Sequence, residues 1–75
     1  MSRIVFAVLR QSNRPLTAQE IARHVMAERG LNTADKPLVR VIGKRVGACL
    51  RHHRDKGLVR SEKGPGPFLV WKLMR

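Results

Sequence analysis

The stretch "LVRVIGKRVGACLRHHR", Leu38 to Arg54, decides the fold, because it has helical apolar spacing and two sides of different chemistry. Placing the residues at 100° steps separates these two sides. The apolar side holds Leu38, Ile42, Val46, Cys49 and His53, flanked by Val39 and Leu50. The opposite sector holds Lys36, Arg40, Lys44, Gly47, Arg51 and Arg54. The pattern predicts a third helix over about 36–56, with one side in a core and the other free to meet a polyanion.

Two glycines interrupt this helix, and each costs about 1 kcal/mol relative to alanine. Gly43 lies toward the apolar flank, which favours close packing against helix 1 or 2. Gly47 lies at the centre of the cationic side, where close approach to a phosphate or a groove floor would explain it. The alternative is that both glycines are merely tolerated.

The first half of the chain carries two shorter helical patterns. Apolar spacing predicts helix 1 over about 3–11. Thr17 followed three residues later by Glu20 forms a capping box, which begins helix 2 over about 18–29. Gly30 is well placed to end that helix in a left-handed conformation.

The C-terminal segment has strand composition. The runs "LVRSE" and "FLVWKLM", joined by "KGPGP", predict a hairpin over about 58–74. Alternation along the second run predicts that Leu69, Trp71 and Leu73 face the core. The predicted fold class is α+β: a single domain over residues 1–75, with a three-helix core and a C-terminal β-hairpin.

The net charge narrows the range of partners. The chain of 75 residues has 16 lysines and arginines against 5 acidic residues, a net charge of +11. Nucleic acid is the leading partner, and an anionic membrane surface or an acidic protein comes second. The aromatic rings Phe6, Phe68 and Trp71 are too few for a platform that stacks the bases of a single strand.

Cysteine use and the apolar start indicate the compartment. The single cysteine, Cys49, excludes an intramolecular disulfide and fits a reducing environment. The apolar run from Ile4 to Leu9 is too short to span a bilayer and lacks a cleavage site. We expect an intracellular protein that is not secreted and uses no membrane, either cytoplasmic (nucleoid-associated) or nuclear.

Three stretches carry a family resemblance: "RPLTAQEIA" at 14–22, "GLV" at 57–59 and "WKL" at 71–73. In this order, across nearly all of the chain, they resemble the winged helix-turn-helix domains of transcription regulators. The resemblance implies that helix 3 lies in the major groove of DNA and reads bases with its first half. It also implies a hairpin wing over the phosphate backbone or in the minor groove. One departure is the connection between helices 2 and 3, which is longer than a three- or four-residue turn.

The resemblance and the charge pattern together nominate DNA contacts on helix 3. Lys36, Arg40 and Lys44 are predicted to enter the groove, where an arginine can pair with guanine through two hydrogen bonds. Arg51 and Arg54 are predicted to meet phosphates or solvent. The alternative is a solvated helix face, but such faces mix both signs. No acid lies on this face between Lys36 and Arg54.

Two further segments supply candidate backbone contacts. Arg60 and Lys63, near the wing tip, are predicted to bind phosphates, as such side chains often do; the alternative is an ordinary hairpin loop. Thr17 and Gln19 begin helix 2, where a helix N-terminus suits a phosphate, although Thr17 has a capping role as well. Thr33 is a weaker candidate.

Metal binding and catalysis have little support. Cys49 and His53 have the spacing of metal ligands, but they lie on the apolar side with no second cysteine, so we interpret them as packing residues. "GKR" at 43–45 resembles the end of a phosphate loop, yet the upstream glycine position holds Leu38 and no serine or threonine follows the lysine. We expect no metal, no cofactor and no enzyme activity.

The sequence therefore predicts a sequence-specific or semi-specific duplex DNA-binding protein that regulates transcription, with two copies bound as a homodimer on neighbouring half-sites. Two alternatives remain open. An RNA-binding or ribosome-associated winged module would prefer structured RNA in competition with duplex DNA. A protein-interaction module docking an acidic partner would show an exposed apolar patch and weak DNA binding that disappears at physiological salt.

Overall fold

Three helices and three short strands follow one another in the computed structural model, which describes residues 1–74. The elements are α1 Ser2–Gln11, β1 Leu16–Thr17, α2 Ala18–Glu28, α3 Lys36–Asp55, β2 Val59–Lys63 and β3 Leu69–Leu73. The α+β class is confirmed, and each predicted helix end lies within one residue of the observed one. Arg75, which the predicted domain includes, lies outside the described residues.

The start of α2 has the predicted capping box. The Thr17 hydroxyl oxygen accepts the Glu20 backbone N–H at 3.1 Å, and the Glu20 carboxylate accepts the Thr17 backbone N–H at 3.0 Å. The Arg14 guanidinium also donates to this carboxylate, at 2.6 Å. The hydrogen bond with Arg14 lowers the pKa of Glu20, and the hydrogen bond with the Thr17 backbone lowers it further. The loop before α2 and its first turn are therefore held together.

Two glycines end the longer helices. Gly30 and Gly57 have φ values of 71° and 77°, the left-handed region where a side chain is disfavoured. After α2, the Leu31 N–H donates to the Met26 carbonyl at 2.8 Å, which closes a Schellman motif. The corresponding bond after α3 runs from the Leu58 N–H to the His53 carbonyl at 2.9 Å. The predicted ends of both helices are confirmed.

The strands form an antiparallel sheet in the order β1-β3-β2. Trp71 lies in the central strand, paired with Leu16 on one side and Ser61 on the other. The sequence predicted only the two strands of the hairpin and missed β1. Strand β1 has only two residues, and two residues are too few to show an alternating pattern. This third strand attaches the hairpin to the start of α2.

One core joins all six elements. Its buried apolar residues are Val5, Leu9, Leu16, Ile21, Ala22, Val25, Met26, Val39, Ile42, Val46, Leu50, Val59 and Trp71. The prediction for Leu69 was wrong: it is 47% exposed, whereas Trp71 is 4% exposed. Leu69 pairs with Lys63 at the tip end of the hairpin, which extends past the core.

The apolar side of α3 packs into the core, but Gly43 makes no close contact with another element. A Cβ built on Gly43 meets no atom within 4 Å outside its own helix neighbourhood. The prediction that Gly43 allows a close helix contact was therefore wrong.

None of the described helices is both long enough and apolar enough to cross a bilayer.

Candidate nucleic-acid interface

A row of cations runs along α3 beside its buried side. Lys36, Arg40, Lys44 and Arg51 are all exposed, and none of them forms an ion pair within residues 1–74. Lys36, Arg40 and Lys44 recur every four residues, so their positions are about 6 Å apart along the axis. The predicted exposure of the cationic side of α3 is confirmed.

Two adjoining depressions border this row. The first, of about 160 Å³, lies where α2 meets the start of α3 and is lined by Gln19, Arg23, Lys36, Val39 and Arg40. The second, of about 240 Å³, lies between α2, the middle of α3 and the hairpin. It is lined by Thr17, Ala18, Gln19, Gly47, Arg51, Pro67, Phe68, Leu69 and Trp71. Gln19 borders both depressions, and we call the two together the basic groove.

The basic groove carries charge of one sign. Arg23, Lys36, Arg40 and Arg51 line it, and no carboxylate does. The ion pairs found within residues 1–74 involve Glu20 and Glu62, which line a separate depression between the hairpin and the α1–α2 loop. The positive charge of the groove is therefore not neutralised by the protein itself.

Gly47 lies beneath an arginine. It is buried, and a Cβ built there would come 3.3 Å from Nη1 of Arg51. The Arg51 guanidinium lies next to this position, and the predicted close approach of a phosphate or a groove floor to Gly47 remains a prediction. The missing side chain leaves room for Arg51 to lie across the groove floor.

Arg54 is turned away from the row and toward the sheet. Its Nη1 donates to the Ser61 hydroxyl oxygen at 3.1 Å, and its guanidinium carbon lies 5.4 Å from the Trp71 ring centroid. These contacts tie the end of α3 to the hairpin. Arg54 therefore has a structural role in addition to the predicted phosphate contact, which remains a prediction.

The two wing cations lie on opposite sides of the hairpin. Arg60 is 3.7 Å from the Glu62 carboxylate and shares its side with Lys72. Strand alternation puts Lys63 on the side of Ser61, which faces α3. Lys63 itself lines the separate depression that contains Glu62. Neither of the two predicted hairpin contacts lines the basic groove.

The remaining predicted contacts differ in position. Gln19 is exposed in the groove, and Thr17 lines its wall while the Thr17 hydroxyl caps α2. Thr33 is exposed in the loop that follows α2 and lines neither depression. Arg23 was missed, although its place one helical turn after Gln19 puts both residues on the same side of α2.

The back of α3 holds the cysteine and histidine that have ligand spacing. Cys49 packs against the core, and the His53 ring meets the Phe6 ring edge-on at 4.7 Å. The Ser2 hydroxyl lies 3.2 Å from His53 Nε2 and 3.4 Å from Cys49 Sγ. These contacts confirm the packing interpretation. No group of three metal-binding side chains occurs in the described part of the chain.

Comparison with protein-family models, with curated proteins and with solved structures finds no match to this chain. What the basic groove binds is therefore inferred from its own shape and charge. A channel with several unpaired cations, helix N-terminal N–H groups at its edge and no acid suits a chain of phosphates.

Proposed function

We propose that this protein binds duplex DNA through the basic groove, as a sequence-specific or semi-specific regulator of transcription. The observation that carries the proposal is the groove's run of unpaired cations without a carboxylate. Three helices followed by a hairpin are the order implied by the resemblance to winged helix-turn-helix domains, and the strand order β1-β3-β2 is compatible with it.

In this proposal the first half of α3 enters the major groove. That groove is about 12 Å wide and admits one helix. Lys36, Arg40 and Lys44 are exposed along one strip of this half and carry no ion pairs, so their side chains are free to reach base edges and phosphates. Arg40 is the best candidate for reading a guanine, because its guanidinium can donate two parallel hydrogen bonds.

The rest of the basic groove then meets the DNA backbone. The first turn of α2 lies at the groove with Gln19, and the positive end of a helix dipole attracts a phosphate. Arg51 supplies a cation in the cleft between α3 and the hairpin, and Lys63 supplies one at the tip end of the hairpin. The hairpin thus acts as a wing over the backbone next to the site of α3.

A single module of this size buries little DNA surface, so tight specific binding requires two copies on neighbouring half-sites. If about six phosphates are neutralised, the logarithm of the binding constant falls with the logarithm of salt concentration at a slope near −5.

A matched pair of variants tests the proposal. Arg40→Ala with Lys44→Ala removes two charges from α3, and Arg3→Ala with Arg10→Ala removes two from exposed positions of α1. We expect the α3 variant to lose affinity for a selected duplex, measured by fluorescence anisotropy, and the α1 variant to stay close to the unchanged protein. Equal losses in the two variants would mean that net charge alone attracts DNA.

A competition assay separates the alternatives from the proposal. Structured RNA that displaces duplex DNA at equal concentration would favour an RNA-binding module. Binding that disappears at physiological salt would favour an acidic protein partner. The proposal predicts that duplex DNA stays bound when structured RNA competes at equal concentration, and also when the salt concentration is physiological.

A further inference from the structure

The tip of the hairpin exposes two large apolar side chains next to each other. Phe68 is 57% exposed and Leu69 is 47% exposed. Pro65 and Pro67, which precede them, are exposed as well. Large contiguous apolar patches on a protein surface mark interaction sites. An exposed apolar patch is also expected of a protein-interaction module, so the charges around the tip decide between the two kinds of partner.

The turn that presents this tip is closely folded. A Cβ on Gly64 would lie 2.9 Å from Val70 Cγ1 and 3.2 Å from the Phe68 carbonyl oxygen, so the backbone at Gly64 packs directly onto the returning strand. The two prolines also restrict the backbone, because each fixes its own φ. The tip is therefore held in shape before it meets a partner, which lowers the entropy cost of binding.

The charges around the tip favour a polyanionic partner. Phe68 and Leu69 form one wall of the basic groove, with Arg51 and Gln19 opposite, and Leu69 pairs with Lys63. On its other side Phe68 borders the depression that contains Glu20 and Glu62, whose carboxylates are already paired with cations. An apolar tip beside uncompensated cations fits the groove of a nucleic acid better than an acidic or neutral apolar surface.

The spacing along α3 suits a second DNA groove. Arg40 and Arg51 are eleven residues apart, about 17 Å along the helix axis. The tip lies beside Arg51, past the half of α3 that is proposed to fill the major groove. It is therefore placed to meet a neighbouring part of the duplex, such as the adjacent minor groove.

From these observations we infer that Phe68, supported by Leu69, is a wedge that inserts between base pairs in the minor groove and bends the duplex. The inference rests on the proposed function. Apolar side chains that enter the minor groove partly unstack a base step and kink the DNA toward the major groove. Pyrimidine–purine steps unstack most easily, so the preferred site should contain such a step at a fixed distance from the bases read by α3.

Two substitutions and one control test the wedge on duplex DNA labelled with a dye at each end. Phe68→Ala should weaken binding roughly 5- to 150-fold, the range for loss of one aromatic contact to a base, and should abolish the bend seen by energy transfer. Phe68→Leu should keep the bend, since leucine also acts as a wedge. Leu58→Ala is the control, because Leu58 is also 47% exposed but lies at the opposite end of the hairpin. It should bind and bend DNA like the unchanged protein.

The outcomes distinguish the wedge from the proposed function. If Phe68→Ala binds and bends DNA normally, the wedge is wrong and the proposed function stands. If the unchanged protein fails to bind any duplex, both are wrong. Phe68→Trp provides a third readout against the background of buried Trp71: its emission should be quenched by duplex DNA. A response to anionic lipid vesicles but not to DNA would identify a membrane contact and overturn the wedge.

Discussion

Replacing each glycine of α3 by alanine should separate the needs of the fold from those of the groove. A Cβ at Gly43 meets nothing within 4 Å, whereas one at Gly47 comes 3.3 Å from Nη1 of Arg51. Gly43→Ala therefore gains helix propensity without a steric penalty. Gly47→Ala gains the same propensity but requires the Arg51 guanidinium to shift by a few tenths of an ångström.

The expected magnitudes follow from these distances. Alanine is favoured over glycine in a helix interior by about 0.8–1.0 kcal/mol. For a domain of this size, 1 kcal/mol raises Tm by about 4–8 °C. Gly47→Ala should give a similar or smaller gain, because its neighbour is the far end of a flexible side chain. It should also weaken DNA binding, by at most about tenfold, which is the order expected for complete loss of one charge-assisted contact.

Thermal unfolding followed by circular dichroism and DNA binding followed by anisotropy measure both effects. Gly43→Ala is the internal control, with a raised Tm and unchanged DNA affinity. A lower Tm for Gly43→Ala would contradict the open space described around that position. If Gly43→Ala and Gly47→Ala bind DNA equally well, Gly47 does not serve Arg51 in the way we infer.

Three further predictions concern the fold. Trp71→Ala should cost about 3–5 kcal/mol, a large part of the roughly 4–11 kcal/mol expected for 75 residues, and its denaturation should lose cooperativity; full stability would place the ring outside the core. Thr17→Ala should cost about 1 kcal/mol and Thr17→Ser should recover most of it; equal stability of the two would show that the cap contributes nothing. The pKa of Glu20 is lower in the folded state than its unfolded value of about 4.3, so the stability it contributes is present above that pH and is lost as the pH falls through the folded pKa. The Tm of the unchanged protein should therefore fall more than that of Glu20→Gln between pH 5 and pH 3, and parallel curves would contradict the role given to Arg14.

Local signals account for the parts of the fold that could be predicted. The Thr17 capping box and the glycines at 30 and 57 depend only on residues a few positions away in the chain. The helix ends could therefore be predicted from the sequence. Strand β1 and the exposure of Leu69 depend on which distant segments meet. Two residues cannot show a period, and alternation along β3 does not reveal where the core stops covering the hairpin.

The same distinction applies to the basic groove. The cationic side of α3 could be predicted, because helical periodicity alone places Arg40 and Lys44 together. The groove itself could not, since α2, α3 and the hairpin each supply one wall. The turn of Arg54 onto the sheet and the position of Arg51 over Gly47 are also contacts between side chains, which helical position alone does not determine.

An NMR titration with a selected DNA duplex tests the central claim most directly, because it maps the bound surface residue by residue. We predict that the backbone amides of Gln19, Arg40, Gly47, Arg51 and Phe68 shift first and most strongly, while those of α1 stay nearly unchanged. Strong shifts confined to α1 and the loop that follows it, or uniform small shifts over the whole surface, would contradict binding through the basic groove.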